Sequence, residues 1–487
     1  MMTAEEYIDS LRKLGPRKVY LRGDVLDPDA ITDHPMIRPS INACAMTYRL
    51  AELPEYRDLF TTTSNLTGKP VNCFTSVFMT RDDLIRKVRR LRACGAMTGV
   101  CFQRCAGGDA LNALYNVTFE IDAKHKTDYH ERFKKFVTKW QENDWTVGAA
   151  MTDPKGNRGL PPESQPDPDI FLHVVEERED GVVINGAKMH LTGILNSHWI
   201  LIMPTLSLKA GQEKYAISFA IPSDHPNITY IYGRQPSDTR KLEGTLTDAG
   251  NIKFGGQEVM TIFENIFVPW EDVFMNGETE FAGMLVERFA GTHRQSYGGC
   301  KPGNGDVLIG ACQCMAEFNG VEKASHIRDK IVEMIHLNET MYGGGIACGT
   351  EGHKTAAGAY EIDMMLGNVC KQNVTRIPFE IARLAQDIAG GLMVTLPADT
   401  EFNSPEVGHY CRKYLQGNNC TAEERQRILR LIETMTLGAI ASGYLTESMH
   451  GAGSPQAQRI MIARQSNMEA KKRLAKRLCG LEPDTIL

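Results

Sequence analysis

One change of periodicity constrains this chain of 487 residues more than any other feature. Between about residues 145 and 275 the apolar positions recur every second residue. In "FLHVVEEREDGVVING" the alternation breaks at "EDG" and resumes in a β-branched run, a pattern that predicts a hairpin. Further strands are expected at "HWILIMPTL", "YAISFAIPS" and "ITYIYG", and "EVMTIFENIFVPWEDVF" closes the section. On both sides the spacing is helical. "TRDDLIRKVRRLRAC" opens with Thr80 as N-cap and Asp83 at the capping-box position, with Leu84, Val88 and Leu91 on one face. A second amphipathic run covers about 127–142, and helical patterns return around 305–340, 358–394, 421–449 and 455–479. The order helix, sheet, helix predicts an α+β fold. It comprises an N-terminal helical domain over 1–144, a central antiparallel β domain over 145–279 and a C-terminal helical bundle over 280–487.

The formal net charge of −6 gives no electrostatic footprint for nucleic acid. The one basic run, "RKVRRLR" at 86–92, reads as a solvated helix face. "MMTAEEYIDS" lacks the basic start and apolar run of a signal peptide, and "GAIASGYL" is too short and glycine-broken to span a bilayer. A cytoplasmic protein without membrane segments is therefore expected. Its 13 cysteines are scattered, as free buried thiols are in a reducing compartment.

Two short segments stand out from that background. "CFQRC" places Cys101 and Cys105 four apart, on one face if the segment is helical. "HRQSYGGC" holds His293 and Cys300, and glycines 298 and 299 let the backbone fold Cys300 back towards His293. Three thiolates and one imidazole suit either tetrahedral zinc or an iron–sulfur cluster with one non-cysteine ligand. Two core cysteines are the simpler reading of "CFQRC" alone.

Nucleotide signatures are missing. No GxGxxG turn follows a strand, no P-loop occurs, and "GNGDVLIG" has the wrong spacing. The clusters "GGG", "AGG" and "GAG" read singly as helix caps or close-packing positions. "AMTDPKGNRG" at 150–159 combines a turn-forming Asp-Pro with Lys155 and Gly156, which can present amides and a cation to a carbonyl-rich or anionic ligand. "KMHLTG" adds His190 and Thr192, able to hydrogen-bond a flat heterocycle.

Taken together, "MIRPSIN", "MTDPKG", "KMHLTG", "FGGQE", "ERFAGTHRQSYGGCK", "IAGGLMVT" and "TESMHGAGSPQAQR" resemble the 4-hydroxybutyryl-CoA dehydratases over nearly the whole chain. The related 4-hydroxyphenylacetate 3-monooxygenases share the wider fold but lack the combination of "CFQRC" with "HRQSYGGC". The resemblance implies an acyl-CoA dehydrogenase-like fold and a homotetramer with active sites near subunit interfaces, each holding FAD and a [4Fe–4S] cluster. The cluster ligands it implies are Cys101, Cys105, His293 and Cys300. It places FAD against Ala150, Met151, Thr152, Asp153, Pro154, Lys155, Gly156 and Asn157, with His190, Thr192 and Gly193. A neighbouring subunit would add Ala389, Gly390 and Gly391. The implied reaction converts the CoA thioester 4-hydroxybutyryl-CoA to crotonyl-CoA and water, with vinylacetyl-CoA isomerisation beside it.

That chemistry needs such parts because the thioester carbonyl acidifies C2 and not C3. One-electron oxidation of the enolate by a flavin would acidify C3, and an iron site would assist loss of the C4 hydroxyl. The residues expected to move or orient protons are His293, Tyr297, Glu258 and Glu447. The alternatives are a flavin-dependent monooxygenase or acyl-CoA dehydrogenase on the same scaffold, with structural cysteines, and a non-enzymatic zinc-site protein.

Overall fold

The computed structural model describes residues 1–481 except 237, 244 and 245. The N-terminal section contains α1 (Ala4–Arg12), β1 (Lys18–Leu21), β2 (Asp24–Val25), α2 (Arg38–Glu52) and α3 (Pro54–Phe60). A small hairpin of β3 (Thr61–Thr63) and β4 (Pro70–Asn72) follows, then α4 (Arg81–Thr98), α5 (Cys105–His125) and α6 (Tyr129–Asn143). Helix α4 begins at the expected capping box, with Asp83 N donating to Thr80 Oγ1 at 3.1 Å and Thr80 N donating to Asp83 at 2.9 Å. It stops at Gly99, whose φ of 66° satisfies the last turn in a conformation that glycine adopts without penalty.

The basic run on α4 is not a solvated face. Lys87 and Arg90 are buried, the first paired with Asp109 and the second lying over the Phe74 ring. Arg92 bridges to Asp306 and Glu339 of the C-terminal section. The helix is covered on several sides, so its cations meet partners in place of water.

The central section supplies β5 (Val147–Ala150), β6 (His173–Glu177), β7 (Gly181–Thr192), β8 (Trp199–Ile202), β9 (Ile217–Pro222), β10 (Ile228–Tyr232), β11 (Glu258–Pro269) and β12 (Val273–Asn276). They form two sheets, ordered β2-β1-β10-β11-β7-β6 and β12-β9-β8-β5. Strands β6 and β7 make the expected hairpin, with His173 opposite Asn185. Pairing is antiparallel throughout these sheets except at β1–β10 and β5–β8, which are parallel. Both exceptions involve a strand that enters from the helical N-terminal section, where no tight turn dictates its direction. The N-terminal section is therefore not purely helical. The inner faces of the sheets, including Ile184, Leu191, Ile202, Phe219 and Phe263, share one apolar core with residues of α1, α2, α5 and α6.

The C-terminal section begins with α7 (Thr279–Phe318), 40 residues long, followed by α8 (Ser325–Thr350), α9 (Met364–Val374), α10 (Ile377–Ala389), α11 (Asp399–Asn403), α12 (Gly408–Leu415) and α13 (Ala422–Thr436). Helices over Pro455–Gln465 and Met468–Leu478 end it. The pattern expected as one helix around 305–340 is two, divided at Gly320 with φ 68°, and the final basic helix divides at Ser466 and Asn467. The stretch 422–465 has a mean hydropathy of 1.2 in its most apolar window, enough by length and composition to cross a bilayer. Here it is broken after α13 and again at Gly451–Ser454, and between the breaks residues Ser442–Glu447 form a π-helical turn.

Candidate active site and metal centre

Three sections of the chain meet around one cavity. Its walls are Val100 and Cys101 from the α4–α5 junction, Thr192 and Glu258 from the ends of β7 and β11, and Gly443 and Glu447 from the π turn.

"CFQRC" is not a helix. Between Gly99 and the start of α5 at Cys105 the chain turns through Gln103, whose φ is 67°. Gln103 holds this turn by donating to Gly255 O at 3.1 Å and accepting from Asn196 Nδ2 at 2.6 Å. Cys101 thus projects from a loop and Cys105 from the first turn of α5. Nor does the chain fold back between His293 and Cys300. Helix α7 runs unbroken through "HRQSYGGC", and two helical turns place both residues on one face. The glycines serve close approach: a Cβ at Gly298 would lie 2.6 Å from the Gly345 Cα of α8, and one at Gly299 would lie 2.6 Å from Val88 O of α4.

Cys105 Sγ, a carboxylate oxygen of Asp109 and a ring nitrogen of His293 lie within 4.8 Å of one another. The thiols of Cys101, Cys105 and Cys300 are within electrostatic reach of each other and of Tyr297. Burial pushes all three thiols up, Cys300 to about 11, with Glu447 adding to the shift at Cys101 and Cys101 adding to it at Cys105. Three desolvated sulfurs that repel one another's negative charge, beside an imidazole, form a donor set that a bound cation would relieve. The set fits an iron–sulfur core with one histidine ligand, and it equally meets the tetrahedral requirement of zinc.

His293 is oriented by its surroundings. Its ring stacks on Phe289 (centroids 5.6 Å apart, 9° between planes) and meets the edge of Tyr297 at 5.1 Å. Nδ1 lies 2.7 Å from Asp109 Oδ2. Asp109 also accepts from Ser296 Oγ at 2.8 Å and pairs with Lys87 Nζ at 2.6 Å. Burial works against its charge, but Lys87 and His293 outweigh burial and hold the carboxyl below the usual range.

A second polar group faces the thiols. Tyr297 OH donates to Glu447 Oε1 at 3.1 Å, and Lys301 Nζ reaches Glu447 Oε2 at 3.2 Å and Gly443 O at 2.7 Å. Burial and the nearby Glu447 push the Tyr297 phenol well above its ordinary value. Lys371 donates to Ser448 O and sits 3.9 Å above the centre of the Tyr297 ring. Burial, reinforced by Lys301, pushes its amine well down. Across the cavity Thr192 Oγ1 donates to Glu258 Oε1 at 2.6 Å, and burial with Glu447 raises the Glu258 carboxyl well above the carboxylate range.

The segment expected against a flavin is arranged by backbone. Asp153, a turn-former that the resemblance sets against FAD, has its carboxylate engaged by Lys188, Thr205 and Leu172 N. Lys188 also binds Met151 O, and Thr152 O accepts from Met189 N, so the edge of β7 carries this loop. Ala150 ends β5, and Met151, Thr152 and Pro154 are partly exposed along the loop that follows. Gln165 clamps Asn157 at its N–H and its carbonyl, beside Gly156 with φ 49°. His190 is exposed with φ 58° at a β-bulge, and Gly193, φ 69°, packs on Gln103. Ala389 is buried at the end of α10, whereas Gly390 and Gly391 are exposed.

Sequence reasoning passed over Lys87, Asp109, Lys301, Lys371 and the π turn. A usable signal existed for two of them. Asp109 falls four residues after Cys105 and is the one charged residue between Cys105 and Phe119, and Lys301 follows Cys300 directly.

The family description 4-hydroxyphenylacetate 3-hydroxylase, N terminal, matches residues 3–275, and its C-terminal counterpart matches residues 282–480. A 4-hydroxybutyryl-CoA dehydratase/vinylacetyl-CoA-Δ-isomerase of Clostridium aminobutyricum is 56% identical, over 99% of this chain and 100% of that protein. The oxygenase component of a Thermus thermophilus 4-hydroxyphenylacetate 3-monooxygenase is 28% identical, over 90% of this chain and 89% of its own. Among solved structures, an oxygen-tolerant archaeal 4-hydroxybutyryl-CoA dehydratase from N. maritimus superposes with a TM-score of 0.96 at 53% identity, covering 100% of this chain and 96% of that one. The FAD complex of a 4-hydroxyphenylacetate 3-monooxygenase oxygenase component gives a TM-score of 0.87 at 24% identity over 98% of both chains, a likeness of fold. The chain belongs to the 4-hydroxyphenylacetate 3-hydroxylase family, in which it stands with the 4-hydroxybutyryl-CoA dehydratases.

Proposed function

We propose that this protein converts 4-hydroxybutyryl-CoA to crotonyl-CoA and water and isomerises vinylacetyl-CoA to crotonyl-CoA. The observation that carries the reading is the convergence of Cys101, Cys105, His293 and Cys300 beside a carboxylate-lined cavity. It occurs in a chain 56% identical, end to end, to a dehydratase of that activity. Those four residues would hold a [4Fe–4S] cluster, and the 150–157 loop with His190, Thr192 and Gly193 would hold FAD. When bound, FAD supplies one-electron oxidation of the substrate enolate, and the iron–sulfur core supplies a Lewis acid for the departing hydroxyl.

The net change removes one hydrogen from C2 and one from C3, expels hydroxide from C4 and returns a proton to C4. At least two groups must therefore exchange protons. Glu447 and Glu258 suit the task because their surroundings differ. Lys301 and Tyr297 donate to the two oxygens of Glu447 and hold it at the cavity wall, where it takes the part of the base. Burial, with Glu447 adding to it, raises the Glu258 carboxyl, which suits it to the part of the acid. Thr192, 2.6 Å from its Oε1, fixes the orientation of that carboxyl at the cavity. Tyr297 donates to Glu447 Oε1 and orients that carboxyl at the cavity.

The same reading includes assembly as a homotetramer in the cytoplasm, with residues 389–391 of a neighbouring subunit completing the flavin site. Val394, Tyr414 and Leu437, 86%, 68% and 60% exposed, support subunit contacts in the C-terminal section. The test is anaerobic purification with iron, sulfide and flavin quantitation, an absorption spectrum and an assay with 4-hydroxybutyryl-CoA. Flavin bands on broad absorption near about 400 nm, with crotonyl-CoA formed, support the proposal. A colourless protein with stoichiometric zinc, or a flavoprotein without iron that hydroxylates phenols, refutes it.

A further inference from the structure

We infer that Asp109 is a positioning residue that fixes His293 with its ring proton on Nδ1, leaving Nε2 as the nitrogen free to bind iron. The inference rests on the iron–sulfur reading above and concerns a residue outside its four ligands.

Asp109 is close enough to Cys105 and His293 to be mistaken for a ligand. Its oxygens are already committed. Oδ1 receives Lys87 Nζ at 2.6 Å, and Oδ2 receives Ser296 Oγ at 2.8 Å and His293 Nδ1 at 2.7 Å. The side chain is 1% exposed, so water cannot substitute for these donors. A carboxylate bonded to one ring nitrogen of a metal-binding histidine selects the tautomer and holds the ring plane. The plane is further restrained by Phe289 and Tyr297, one helical turn to either side on α7. Lys87 also donates to Thr292 O at 2.7 Å, tying Asp109's cationic partner to the residue before His293. Three elements, α4, α5 and α7, therefore converge on the orientation of one imidazole.

Asp109→Asn tests this. An amide can offer N–H to Nδ1, which drives the ring proton to Nε2 and removes the lone pair that would meet iron. Wild type and variant are purified anaerobically as flavin-containing protein, and iron and sulfide per flavin are measured. EPR spectra are recorded after the same brief exposure to air, and dehydratase turnover is assayed. The variant is expected to keep its flavin, to show a three-iron EPR signal several-fold stronger than wild type, and to lose turnover by roughly 10- to 100-fold. A variant with wild-type iron content, EPR spectrum and turnover overturns the inference. If Asp109→Asn does not accumulate as folded flavoprotein, Ser296→Ala carries the test, since it removes one donor to Oδ2 without leaving a buried charge unpaired. It is expected to show the same three-iron signal at lower intensity, and wild-type behaviour there overturns the inference. Wild-type protein with zinc and no sulfide would remove the cluster reading itself, and this inference with it, whichever way the variants behave.

Discussion

Two buried ion pairs start from neighbouring positions at the head of α5 and end in different kinds of environment. Arg104 pairs with Asp144 at 3.0 Å, lies 3.8 Å above the Tyr48 ring, and donates to Thr47 at 3.2 Å. Met2 N donates to the other Asp144 oxygen at 2.9 Å. Asp109 pairs with Lys87 at 2.6 Å but passes its second oxygen to a histidine that stands beside the Cys105 thiol. The first pair closes on itself and ties the chain's start, α2 and the head of α5 to the end of α6. The second opens on a group with unspent coordinating capacity. Burial of charge is thus no mark of function by itself, and neither is an unpaired donor, since Arg104 Nε is also buried without a partner; a metal-ligating group left uncommitted is the better guide.

The sharpest way to break this contrast is to remove a leftover donor. Cys300→Ala is expected to abolish both iron retention and dehydration, measured as iron per flavin and crotonyl-CoA formation; full turnover would refute the ligand role. Glu447→Gln is expected to lower turnover by about 10²- to 10⁴-fold, the usual worth of a positioned acid or base. Its thermal midpoint should hardly move, and a large fall would assign Glu447 to the structural side.

On the closed pair the readouts invert. Arg104→Met leaves Asp144 buried without its cation and is expected to cost about 3–5 kcal/mol in denaturant unfolding, with iron per flavin unchanged in the protein that folds. Unchanged stability with lost iron would erase the distinction between the pairs. The neighbouring His198, pushed down to about 4 by burial, bonds Ser10 Oγ at 2.8 Å and receives Thr146 N at 3.1 Å. Its folded form takes up a proton less readily than its unfolded form. Stability is therefore full above the unfolded value of about 6.5 and falls as pH drops towards 4, by on the order of 3 kcal/mol. His198→Gln should flatten that part of the stability–pH curve, and an unaltered curve would remove His198 as its cause. The smallest effect belongs to Thr192→Val, which deletes one hydrogen bond to Glu258 and should reduce turnover by about fivefold, near 1 kcal/mol. A loss of a hundredfold would mean that Thr192 touches substrate itself.

Features whose cause is local were legible in advance. The capping box at Thr80 and Asp83 and the hairpin of β6 and β7 depend on residues a few positions apart, and both occur as expected. The helix–sheet–helix order was equally readable, because period is a property of the segment itself. What failed were the readings of local shape and solvation that distant partners decide. Glycines 298 and 299 were read as a bend because a lone sequence does not reveal that Gly345 and Val88 press against them. "RKVRRLR" looked solvated because Asp109, Phe74, Asp306 and Glu339 come from other segments. The donors of "CFQRC" and "HRQSYGGC" were visible by residue type, while the local geometry imagined for both was wrong. Lys301 and Lys371 stayed hidden for the converse reason: a lysine announces solvent until its neighbours are known.

Helix α7 admits no extra methyl group where it crosses α4 and α8, since added carbons at 298, 299 and 303 would run into backbone atoms. A wall with so little slack keeps its donors at fixed spacing while a bulky thioester enters. The opposite wall fits as closely: an added carbon at Gly451, just past the turn at 442–447, would lie 1.8 Å from Tyr297 Oη. Sulfurs and carboxylate are thus set in one rigid frame, because Lys301 and Tyr297 of α7 fasten the Glu447 turn to the helix that carries Cys300.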